Sequence, residues 1–197
     1  TIHNVLGGGQ NNTILGGGDN GWNVLVGGKG NILGKLGNAT NNYNFIGGGI
    51  SNTLSASTHA TIVGGDTNYL TFSNWSHISG GYGHTISSNM VTGSTNSFIG
   101  GGLTNKIISG SLGNSIMGGE TNMITTSTGR NTIGGGSSNL ITGYHSNFIG
   151  GGNFNQVKGS AQSTIAAGNQ NRIYSTQSYN SILGGTSNQI GHNLTAT

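Results

Sequence analysis

The side chains that could do chemistry are few: three carboxylates, six histidines and six lysines or arginines in 197 residues, with no cysteine. The missing cysteines remove thiolate nucleophiles, disulfides and Cys-bound metals. Hydrolysis by paired carboxylates needs two acids about 5–10 Å apart. The acids are Asp19, Asp66 and Glu120, far apart in the chain. The histidines, His3, His59, His77, His84, His145 and His192, fall at unrelated places in the repeat set out below. His77 and His84 are close in sequence but belong to opposite halves of one repeat, so solvated roles are expected for them rather than a metal site. No serine has a histidine and an acid in a credible triad. The chain is therefore read as non-enzymatic and without a cofactor. Net charge is +3 from cations scattered along the chain. Such dilution neutralises few phosphates, so nucleic acid is not an expected partner. Weak attraction to anionic glycans remains open.

Abundant instead are 41 Gly together with Asn, Ser and Thr, while Pro is absent, 5% of residues are charged and 31% are hydrophobic. Low hydrophobicity without charge or Pro is unlike a disordered chain, and Gly does not recur every third residue as in collagen. No apolar run approaches the ~18 residues of a membrane-spanning helix, so no membrane insertion is expected. The chain opens at Thr1 without Met or a signal peptide, which reads as a processed or excised piece.

The scarce groups can only be placed once the repeat is known. The words Phe45–Asn52, Phe98–Asn105 and Phe148–Asn155 (FIGGGISN, FIGGGLTN, FIGGGNFN) set its register. With their Ile called position p, p falls at Leu6, Leu25, Ile46, Ile62, Ile78, Ile99, Ile116, Ile133, Ile149, Ile165 and Ile182. Most steps are 16 or 17 residues. Steps of 19 and 21 make residues 1–45 irregular, and a further 21 places extra residues around Ser87–Thr95, as Lys35–Tyr43 does earlier. Eight residues after each p stands a second aliphatic, from Ile14 to Ile190, preceded two residues earlier by Asn in ten of eleven units, with His84 the exception.

Two inward aliphatics per unit, each in a short β-branched word with a Gly pair between them, predict two strands and two turns rather than helix. The fold class is thus all-β: one parallel β-solenoid domain over residues 1–197, of about eleven two-stranded coils stacked about 4.8 Å apart. Asp66 and Glu120 then occupy the same position three coils apart, roughly 14 Å at that spacing, too far for paired catalysis. Asn at a fixed place in each coil predicts amide ladders between coils. The N-x-S/T sequons at Asn11, Asn38, Asn74 and Asn193 follow from composition, Asn38 and Asn74 being the better placed for modification.

The two outer faces differ. Neighbours of the second aliphatic are polar or mixed (Thr13, Thr53, Tyr69, Lys106, Gln156, Arg172), which predicts a solvated face. Neighbours of p are Val5, Val24, Val26, Phe45, Val63, Phe98, Met117, Phe148 and Leu183, alternating with Gly. That stripe is apolar or bare and predicts burial against identical chains. Tyr43, Trp75, Tyr82 and Tyr144, in or near connections, are the candidate receptor or glycan contacts, since aromatic rings stack on sugars and loops on rigid scaffolds carry recognition.

The N-x-[IV]-x-G-G word, two strands per coil and the Gly/Asn/Ser/Thr composition resemble the head repeats of trimeric autotransporter adhesins (YadA-like) and the GG-x-x-N repeat arrays of viral fibre or surface proteins. The unit of 16–17 residues is longer than the adhesin coil. The resemblance implies three parallel solenoids side by side, projecting from a cell or virion surface to bind a host receptor or matrix. The expected function is an extracellular adhesive or attachment fibre segment, self-associating as a trimer. The uncapped repeat at either end is compatible with a longer chain or end-to-end filaments. The alternatives are a structural filament without receptor binding and an ice-binding protein, which would need ranks of Thr along one face.

Overall fold

A computed structural model describes residues 3–15, 21–34, 41–83, 85–87, 95–108, 112–125, 128–174 and 176–191, with backbone alone for 85–87. The described chain winds as a parallel β-solenoid. One eleven-stranded sheet takes the first strand of every coil in chain order, and a second eleven-stranded sheet takes the second strand. Strands are two or three residues long, such as Thr132–Ile133 and Leu140–Ile141. The register is the one the doubled rhythm predicts: Ile116, Ile133, Ile149 and Ile165 pair in succession in the first sheet, and Ile124, Ile141, Val157 and Ile173 in the second. Where side chains are described, these aliphatics are fully buried from Leu25 to Ile173, whereas Leu6 of the first coil is exposed and Ile14 and Ile190 are partly buried. Helix is absent among the described residues, as the Gly density and β-branching dictate.

The turn after p depends on one glycine more than on the pair. The residue at p+3 is Gly in all eleven coils, with φ between +82° and +112°. At Gly136 an added Cβ would stand 2.0 Å from the Gly152 carbonyl oxygen of the next coil. The preceding position is less strict and accepts Ala167. Beyond the turn, bridges at p+4 run unbroken from Gln10 through Asp66 and Glu120 to Thr186, so the corner itself forms a ladder.

The Asn columns hold coil to coil, but not mainly through the amide-to-amide contacts expected from sequence. Asn139 is representative. Its Nδ2 donates to the Gly135 carbonyl in its own coil and the Gly152 carbonyl in the next, both at 2.9 Å. Its Oδ1 accepts the Asn155 backbone N–H at 3.0 Å. Amides a coil spacing of about 4.8 Å apart meet less readily than an amide meets the turn carbonyls beside it. Amide-to-amide bonds do accompany these in places, as from Asn68 to Asn52 at 3.0 Å.

Candidate functional site

The outer face of the first sheet carries all nine side chains of the expected interface, Val5, Val24, Val26, Phe45, Val63, Phe98, Met117, Phe148 and Leu183, at p−1 or p+1. Their exposure ranges from half-buried Val24, Phe45 and Phe98 to Leu183 at 84%. The two positions compensate each other. Where p−1 is Phe, p+1 is Gly, and the ring folds over it: a Cβ built on Gly47, Gly100 or Gly150 would lie 3.1, 3.3 or 3.2 Å from Cε1 of Phe45, Phe98 or Phe148. Where p−1 is Thr61, Ser115 or Ser181, p+1 is Val63, Met117 or Leu183. Most coils thus present one bulky apolar group to the face. His77 sits within it, its ring stacked on Phe98 at 5.7 Å between centroids and 13° between planes. Burial pulls its pKa below the ordinary 6.5, and it is the sole titratable side chain at p−1 or p+1 among the described residues.

A second feature runs along the corner three residues before p. Backbone φ there is positive in successive coils: Tyr43 57°, His59 55°, Trp75 55°, Asn96 55°, Gly113 70°, Arg130 66°. Each of these N–H groups from His59 onward donates to a carbonyl of the coil before, from His59 to Asn42, Trp75 to Thr58, Asn96 to Asn74, Gly113 to Thr95 and Arg130 to Leu112. The first five coils fill this column with rings. His3 stacks on Trp22 at 4.2 Å and 24°, Tyr43 on His59 at 4.8 Å and 17°, and His59 on Trp75 at 3.9 Å and 4°. The rings form two stacks, His3 on Trp22 and Tyr43–His59–Trp75, nearly flat on one another within each.

Of the four aromatic contacts expected from sequence, the structure brings Tyr43 and Trp75 together on this corner, with His59 between them. Tyr82 lies at p+4, on the opposite corner, and Tyr144 lies in the connection of a coil further along. His3, Trp22 and His59 were not foreseen as partners. Counting three residues back from each p would have aligned them.

Asp66 and Glu120 stand on the p+4 ladder, separated by Tyr82 and Leu103. Among the described residues no three His, Cys, Asp or Glu side chains converge. Arg130 and His145, with Leu112 and Gly129, line a cavity of about 290 Å³ at the aromatic corner's continuation. Asn74 Oδ1 accepts the Thr58 N–H at 2.9 Å, and Asn11 adopts a turn φ of 55°. Asp19, His84, His192, Asn38, Asn193 and most of the two long connections lie outside the described residues.

Fold and surface together define a thin parallel β-solenoid with one apolar face and one aromatic corner. No protein-family model matches the chain, and no curated protein matches it either.

Proposed function

We propose that the chain is a non-enzymatic segment of an extracellular or virion-surface fibre, in which identical rods associate through the outer face of the first sheet, three together as in the adhesin heads that the sequence resembles. The observation that supports this is the apolar stripe from Val5 to Leu183, with a single bulky apolar group in seven coils, two in the Val24–Val26 coil and interruptions at His77, Thr132 and Thr164. Total exposed area is 9195 Å² for 19.9 kDa, close to the roughly 8,700 Å² of an ordinary monomer of that mass. The case for a partner therefore lies in where the apolar surface is, not in a shortage of burial. An exposed apolar stripe of this kind on a solvated protein marks an interaction surface. Ice binding is less well supported, because the second sheet's outer column interrupts its Thr residues with Tyr69, Lys106 and Arg172.

Light scattering on the purified chain tests the reading. The expected mass is three times 19.9 kDa, and Val63→Glu combined with Met117→Glu should give a monomer with an unchanged β circular dichroism spectrum. A well-behaved monomer of the native chain overturns it.

A further inference from the structure

We infer that the rods meet side by side in one direction and in register, the corner at p+4 of one copy lying on the corner at p−3 of the next. The inference rests on the reading of the first sheet's outer face as an interface between copies, and it adds which corners touch and which side chains meet.

A cyclic axis running along the rods is a common way for identical chains to bury one face. It sets the two edges of that face against each other: the edge after p in one copy meets the edge before p in its neighbour, at the same height. The edge after p is bare. Position p+2 is Gly in ten of eleven coils, yet at Gly64 and Gly184 an added Cβ would meet nothing within 4 Å, and neither has a positive φ. Nothing within the chain requires glycine at those two places, and the close approach of a neighbour's backbone accounts for it. Beyond this edge stands the p+4 ladder from Gln10 to Thr186, and beyond the opposite edge the p−3 column with its positive φ.

Charge on these two corners selects the pairing. The p+4 ladder holds three charged residues, Lys29, Asp66 and Glu120. Asp66 comes seven residues after His59 and nine before Trp75. With coils rising about 4.8 Å, its height falls between theirs, about 2–3 Å from each. Its Oδ1 accepts the Thr67 hydroxyl, which leaves Oδ2 for the neighbour's imidazole and indole, both carrying N–H groups to donate. Glu120 comes ten residues before Arg130, about 3 Å lower by the same rise. Both side chains are exposed, and the guanidinium fork fits a carboxylate. Lys29 falls between the heights of Trp22 and Tyr43, a stretch of the column with rings and no cation. In register, therefore, each acid meets donors and no like charges meet. A neighbour turned end over end would set p+4 against p+4, where Lys29 is the one cation for two acids.

Cross-linking tests the contact in a chain that has no cysteine of its own. Glu120→Cys combined with Arg130→Cys, treated with a short bismaleimide, should run as a covalent trimer on denaturing gels, because each copy then links to both neighbours. Either substitution alone should run as a monomer. Glu120→Arg should weaken association about tenfold or more, and adding Arg130→Glu should recover most of that loss, with the β spectrum unchanged throughout. Light scattering on the same samples keeps the outcomes apart. A native trimer whose double-cysteine variant stays unlinked, or a charge reversal that Arg130→Glu does not rescue, overturns this contact alone. A native monomer overturns the interface reading with it.

Discussion

Asparagine is the residue that ties one coil to the next. At Asn139 a single side chain satisfies two turn carbonyls and one backbone N–H. Truncation to alanine takes this partner from the buried Asn155 N–H and the part-buried Gly135 carbonyl, while the Gly152 carbonyl keeps the Ser137 N–H; each group left unpaired costs about 1–3 kcal/mol. Asn139→Ala should therefore cost about 3 kcal/mol or more in urea unfolding, whereas Gln10→Ala on the exposed corner should cost little. A loss below about 1 kcal/mol at Asn139, the net value of an ordinary exchanged hydrogen bond, would show that water takes over its role. The spacing of these asparagines is plain in the sequence, but their acceptors are not. A period tells which residues share a column and is silent on whether an amide reaches along the rod or back into its own turn. The same limit hid the aromatic corner. Positive φ is expected at glycine, and Tyr43, His59 and Trp75 carry no such mark.

At the scale of the strand, two residues and one inward aliphatic suffice because neighbours above and below complete the pairing. Such a stack is governed by nearest-neighbour contacts. Ile133, fully buried between Ile116 and Ile149, should lose about 2–5 kcal/mol on replacement by Ala. The damage should be local: amide exchange should accelerate first in strands Ser115–Ile116, Thr132–Ile133 and Phe148–Ile149, with the outer coils following later. Uniform acceleration along the rod would mean that the coils unfold as one unit. Strand positions and register were legible from the eight-residue rhythm because each strand has one inward residue and only one alignment buries it. Compensation between Phe45 and Gly47, or Ser115 and Met117, could also have been read from sequence by comparing p−1 with p+1. It went unseen because the face was judged by hydrophobicity and not by volume.

The whole rod acquires a pH dependence from His77. Burial depresses its pKa below 6.5, so the folded state binds fewer protons than the unfolded one. Stability from this group is then present above its ordinary pKa and lost on acidification. An interface laid over His77 desolvates it further, in the same direction. Lowering the pH from about 7 to 5, across the range in which imidazole changes charge, should shift the native chain toward smaller species in light scattering. His77→Phe should flatten the response, and an unchanged slope in that variant would remove His77 from the interface. The apolar face itself was legible from the residues beside p, since outward position follows from the inward one. What would cover it was not, because one chain's sequence carries its own columns and no record of what meets them.

The sparse interior has a thermal consequence. Unfolding raises heat capacity through newly wetted hydrocarbon and lowers it through newly wetted amide. A coil that hides two aliphatics among buried Asn side chains and turn carbonyls sets these contributions against each other. The enthalpy of unfolding then varies little with temperature, and the stability curve becomes broad and shallow. Such a rod is expected to lose stability only slowly on cooling, which a calorimetric heat capacity of unfolding below the usual per-residue value would check.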